Sequence, residues 1–297
     1  MVGTTARAAM AASGFEGRVV AAVSNAVYIK SEAGELFWMT TPGNVIHARA
    51  VIAPCHLRGL SPGAATAVDR GWLTVGADVR VEVAHAPVWD PPLVGPAAAA
   101  EMSRAAAAFV TLLNSIAPVA PSSGLAPAIA HVLSTATSTP VVVADALLGA
   151  SEAVRSVLDA MSARRPDALR QAAGLLGLGP GLTPSGDDFA GGLVFAMRAL
   201  HVAYPERFGW DGSAASEMLA RARQQTNSIS AELLHDHMEG RGAGPLHDVA
   251  HAVLTAQPIG RLMPAAEGLT RIGRTTGWDI LTGFCAGMLP LCRESRN

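Results

Sequence analysis

Three aspartates in this 297-residue chain stand in patterns that could support chemistry. Asp187 and Asp188 end the run Gly177-Leu178-Gly179-Pro180-Gly181-Leu182-Thr183-Pro184-Ser185-Gly186-Asp187-Asp188, and Asp279 ends Arg274-Thr275-Thr276-Gly277-Trp278-Asp279. Gly177, Gly179 and Gly181 remove side chains at alternate positions, so backbone N–H groups can approach a ligand closely and positive φ costs little. Pro184 biases Thr183 towards extended backbone and leaves Ser185 as the expected N-cap of a following helix. A glycine loop that opens into a helix start is a natural seat for a phosphate-like anion. The loop aims the Thr183 and Ser185 hydroxyls and its free N–H groups at one point, with Asp187 and Asp188 in the first turn beside it. The competing reading is plain helix capping by first-turn acids.

The two aspartate patterns are copies of one another. Ser185-Gly186-Asp187-Asp188 continues to Gly192 and Thr276-Gly277-Trp278-Asp279 continues to Gly283, so both read hydroxyl, Gly, any residue, Asp, three residues, Gly. A Gly four residues after an Asp lies on the Asp face of a helix and leaves that face bare. Two such helices can meet closely, with Asp188 and Asp279 facing one composite site to which Gly186, Thr275, Thr276 and Gly277 contribute. The two carboxylates could also hold a divalent cation such as Mg²⁺ through oxygen. No third carboxylate or histidine has recognisable ligand spacing, and capping is the preferred reading over metal. Thr226 and Ser230, four apart in the polar stretch Gln224 to Ser230, either line a polar cavity or face solvent. His235 with His237 and His247 with His251 lack a metalloprotease pattern and read as surface or packing residues. Cys285 reads as core. The loop lacks the Gly-Lys-Ser/Thr ending of a nucleotide P-loop, and Ser185 has no strand elbow around it.

The elements that must position these residues change character near residue 92. Short apolar runs separated by Gly, Asn and Asp, from Arg18-Val19-Val20 through Val79-Arg80-Val81-Glu82-Val83, predict strands of a small antiparallel barrel or sandwich. Residues 1 to 14 read as a frayed terminus. The β-rich domain is placed at 15–92, ended by Pro91-Pro92, and an α-helical domain at 93–297. Helices are expected over 97–116, 126–135, 141–148, 151–161 and 167–176. Further helices are expected from 186 to about 200, as one long helix over 213–238, and over 246–254 and 265–272, with a last one after Asp279. The fold class is therefore α+β, a small β-rich domain packed on a larger helical one.

Half the residues are hydrophobic, 15% are charged and the net charge is −2, with no basic run. Nucleic acid is an unexpected partner on those terms. Three cysteines without metal-type pairing suggest a reduced, cytoplasmic setting. The first 14 residues lack the apolar core of a secretory signal. No uninterrupted apolar run approaches the roughly 20 residues of a membrane span.

The run from 177 to 188, with the later Gly-x-Thr-Thr-Gly-Trp-Asp at 273–279 and, less specifically, the Thr226 to Leu234 helix, resembles the family typified by the third subunit of bacterial oxamate carbamoyltransferase. Arg274 and Thr276 stand where that family often has His and Ser, so the hydroxyl is kept and a role for the His does not transfer. The resemblance implies a subunit acting in carbamoyl transfer within allantoin or related ureide breakdown. Its implied small molecules are carbamoyl phosphate and oxamate, or a related ureide, and its implied macromolecular partners are the other transferase subunits. Phosphorolysis of an N-carbamoyl compound needs a phosphate seat and oxyanion donors, which the loop could offer. The alternative is a non-catalytic ligand-binding or scaffolding subunit.

Overall fold

The computed structural model describes residues 1–11, 15–92, 94–137 and 150–294. They divide into two compact units, Met1–Pro92 and Leu93–Asn297.

The first unit is a curled nine-stranded mixed sheet. Its elements are β1 (Val2–Gly3), α1 (Thr4–Met10), β2 (Glu16–Val23), β3 (Ala26–Ser31), β4 (Leu36–Thr40), β5 (Ala50–Ile52), β6 (Ala65–Asp69), β7 (Trp72–Val75), β8 (Val79–Glu82) and β9 (Val88–Trp89). The spatial order is β8-β7-β6-β2-β3-β4-β5-β1-β9. Strand period explains the core: Val27 and Ile29 of β3 pair in register with Met39 and Phe37 of β4, and all four point to the buried side. The β6–β7 hairpin turns through Arg70 and Gly71, both at positive φ, the backbone that right-twisted strands prefer. The sheet is not wholly antiparallel, because β4 runs parallel to β5 and β1 parallel to β9.

Residues 1–11 are not frayed. Val2 inserts between β5 and β9, and α1 buries Ala6, Ala9 and Met10. The small side chains that looked like a loose terminus suit a helix packed tightly on a sheet, and burying them offsets the entropy of ordering.

The second unit is helical. It comprises α2 (Met102–Ile116), α3 (Ile129–Thr137), α4 (Ser151–Ser162), α5 (Ala168–Ala172), α6 (Ser185–Ala203), α7 (Gly212–Gln225), α8 (Ser228–Met238), α9 (Gly244–Leu254), α10 (Ile259–Thr270), α11 (Thr276–Gly287) and α12 (Leu289–Glu294). The expected helix at 141–148 lies outside the described residues. Residues 99–119, including α2, are long and apolar enough to cross a membrane by length and composition, although Glu101, Arg104 and Asn114 interrupt the apolar run. Here Ala105, Phe109, Leu112, Leu113 and Ile116 of α2 belong to the core of the helical unit. The long helix expected over 213–238 is two helices. Thr226 is extended at φ −128° and ψ 179°, and the Asn227 side chain accepts from the amides of Ile229 and Ser230 to start α8. The short helix expected from 265 begins earlier, at Ile259, and carries Pro264 within it. At the centre, α6 and α11 are buried almost throughout and lie against one another.

Candidate functional site

The seam between α6 and α11 is made by glycine. A methyl on Gly192 would sit 2.0 Å from the Ile280 carbonyl oxygen, and one on Gly283 would sit 1.9 Å from that of Phe189. Because Phe189 and Gly192 occupy the same places in their repeat as Ile280 and Gly283, these two contacts are one contact related by a local two-fold. The seam continues to Gly287, whose added methyl would meet the Leu193 carbonyl oxygen at 2.6 Å. The helices therefore run side by side in the same sense, and their N-termini arrive together. Each start is pinned alike to the end of the helical segment before it: an added methyl would lie 1.9 Å from the Leu175 oxygen at Gly186 and 2.0 Å from the Leu269 oxygen at Gly277. Backbone contact at these distances excludes any side chain, which is the physical reason for the repeated Gly spacing.

Two aligned helix starts bring positive dipole ends together, and the aspartates sit there. Asp188 is 6% exposed and Asp279 is 0% exposed. Each acid faces hydroxyls from the start of the other helix. Asp188 on α6 has Thr276 at the start of α11 near it, with Thr183, and Asp279 on α11 has Ser185 at the start of α6 near it, with Thr275. Thr183 and Thr276 meet each other, Oγ1 to Oγ1, at 3.1 Å. Ser185 and Thr276 are thus the first residues of their helices and not side-chain caps of them. Each hydroxyl lies near the other helix's acid.

Asp279 Oδ1 also accepts from the Leu125 amide at 2.5 Å. Gly124, at φ +59°, lies so close that a methyl there would be 2.4 Å from Oδ1. Burial first, and then the charge of Asp279, push the Asp188 carboxyl well above its ordinary value. Burial raises Asp279 as well, against the donors that face it. Each keeps one buried oxygen, Oδ2, without a protein partner.

Asp187 behaves differently. Its Oδ1 accepts from the Gly177 amide at 2.6 Å, and its Oδ2 accepts from Ser230 Oγ at 2.7 Å and from Thr226 Oγ1. Thr226 and Ser230 are therefore occupied by Asp187, and the four residues tie the glycine loop to the break between α7 and α8. Asn227 Nδ2 donates to the Leu182 carbonyl at 2.8 Å on the same side. Gly177, Gly179 and Gly181 have φ of +76°, +114° and +101°. The amide of Leu178 donates to Leu175 and that of Gly186 to Leu178, so with Gly177 three amides of this region serve the protein itself. The stretch from Gly177 to Gly181 is exposed.

Other chemistry-bearing residues are packed away. His237 and His247 are buried and stand edge-on to Phe195, and a methyl on Gly191 would lie 2.3 Å from His237 Nδ1. Burial lowers the His237 pKa to about 4. Cys285 is fully buried, and burial raises its thiol far above the usual range. Among the described residues no group of three or more His, Cys, Asp and Glu could hold a metal ion.

The Gly124–Leu125 contact and the role of Asp187 were not anticipated. Leu125 is 154 residues from Asp279, and no local pattern in Ser122-Ser123-Gly124-Leu125 points to it. The glycine loop, both helix starts and the seam between them fall within one recognised stretch of sequence. No solved structure matches the chain. Residues 175–288, from the end of the segment before α6 to just past the last residue of α11, match the family of oxamate carbamoyltransferase subunit AllH.

Proposed function

We propose that the chain is a subunit of a carbamoyltransferase that acts on oxamate, oxalurate or a related ureide with carbamoyl phosphate, in a cytoplasmic ureide-breakdown pathway and alongside partner subunits. Its ligand site is the joint N-terminus of α6 and α11. The observation that carries this reading is the exchanged set of buried acids and hydroxyls, Asp188 with Thr276 and Asp279 with Ser185, inside the stretch that matches the family. A phosphate-like anion would lie over the glycine loop. With the amides of Gly177, Leu178 and Gly186 engaged, it would draw on those between Gly179 and Ser185 and on the two helix dipoles. Asp187 is a positioning residue in this reading, and Asp188 and Asp279 are the acids that reach the ligand. Mg²⁺ would enter, if at all, bound to the phosphate. The test is formation of carbamoyl phosphate from oxalurate and phosphate by the chain with its partner subunits. Activity that falls at least a hundredfold in Asp188→Asn is expected, and no activity in any subunit combination would overturn the reading.

A second reading is a non-catalytic ligand-binding or scaffolding subunit. It is favoured by the packing of His237 and Cys285, which removes both as a base or a nucleophile at the site. Wild-type activity in the Asp188→Asn complex, with oxamate still bound, would select it.

A further inference from the structure

Resting on the carbamoyltransferase reading, we propose that the Asp188–Asp279 pair is the recognition site for the primary amide, –CO–NH2, of the carbamoyl compound. One carboxylate accepts an N–H of the amide, and the other carboxyl, as the acid, donates to the amide oxygen. Two features of the structure carry this. Each aspartate has one oxygen engaged or flanked by fixed donors, the Leu125 amide and the Ser185, Thr183, Thr275 and Thr276 hydroxyls, and each keeps a buried Oδ2 with no protein partner. Both side chains are more than nine-tenths buried, and an unpartnered carboxyl oxygen in such a place costs free energy that a bound hydrogen-bonding partner offsets.

The chemical class follows from what can pair with two neighbouring carboxyls. The charge of Asp279 acts on Asp188, and burial of both in one site favours the state in which the pair carries a single proton. That state presents one acceptor and one donor, the complement of the N–H and C=O of a primary amide. A carboxylate ligand offers two acceptors and no donor, and it meets one of the aspartates as a like charge. The same geometry sets the direction of the ligand: its amide end enters between the helix starts, and its anionic end points to the glycine loop, where the exposed amides lie.

Oxamate and oxalate make the test, since they share an anionic end and differ in amide against carboxylate at the other. Titration calorimetry on the full chain, alone and with its partner subunits, should show oxamate binding at least tenfold more tightly than oxalate. Asp188→Leu and Asp279→Leu, which remove the polar group that Asn would partly preserve, should each abolish most of that preference while the far-ultraviolet circular dichroism stays that of the wild type. The oxamate affinity of the wild type should weaken as pH rises and the shared proton is lost. Equal affinity for the two ligands in the wild type would overturn the proposal, as would a preference retained in both variants or Mg²⁺ binding that requires both aspartates. If turnover is found but the preference is not, the inference falls and the function stands. If the preference is found without turnover in any subunit combination, the function falls and the amide site stands. Binding of neither ligand overturns both.

Discussion

Substituting Gly283 by Ala tests the seam on which the whole site depends. The new methyl would lie 1.9 Å from the Phe189 oxygen, 2.7 Å from its carbonyl carbon and 2.9 Å from its Cα. Non-bonded heavy atoms rest at about 3.5 Å, so α6 and α11 must separate by roughly 1.5 Å. All three obstructing atoms are backbone of a buried helix, which cannot move aside as a side chain would. Overpacking of this kind costs about 1–3 kcal/mol, and a backbone clash belongs at the upper end. Ala gains about 1 kcal/mol of helix propensity over Gly, leaving a net loss of about 2 kcal/mol. For a domain of this size that is a fall in Tm of roughly 4–8 °C. Chemical denaturation followed by circular dichroism measures it, with Gly260→Ala in α10 as control, because a methyl there meets nothing within 4 Å. The control should be neutral or slightly stabilised. The local two-fold predicts the same loss for Gly192→Ala, and a double variant less destabilised than the sum, since one separation of the helices relieves both clashes. Gly283→Ala as stable as Gly260→Ala would refute the two-fold seam and, with it, the juxtaposition of the two acids.

Two further outcomes follow from the same geometry. Asp188 has its pKa raised above the ordinary 3.8, so the stability linked to it is complete below that value and is lost as pH rises through the folded value. Asn lacks this loss, so Asp188→Asn should gain on the wild type in denaturation midpoint as pH rises above the ordinary carboxyl value of 3.8, and a difference independent of pH would contradict the raised value. Asp187→Ala removes the acceptor of the Gly177 amide and of the buried Ser230 hydroxyl. It should cost about 1–3 kcal/mol and speed hydrogen exchange at Gly177, whereas unchanged exchange there would show that the loop is held by other means.

Much of the site could be read from the chain. Which positions share a helix face depends only on the helical period, so hydroxyl-Gly-x-Asp-x-x-x-Gly, present twice, already implied two bare-faced helices with an acid at each start. The alternation of apolar residues likewise marked the β-rich N-terminal part, and the Gly and Pro placement marked the loop at 177–184. Period does not say what a face meets. That Ser185 lies near Asp279 and Thr276 near Asp188 was decided by how far α6 and α11 slide and rotate against each other. Leu125 reaches Asp279 across 154 residues, and Asp187 turns to Gly177, Thr226 and Ser230. Both are matters of which distant segment fills the space beside a carboxyl, and no local spacing encodes them. The N-terminal helix was missed for a related reason: Ala6, Ala9 and Met10 carry too little apolar surface to announce a core position until a sheet is present to cover them. Local preference chose the elements and their faces, and the burial of backbone against backbone at glycine chose which acids and hydroxyls would meet.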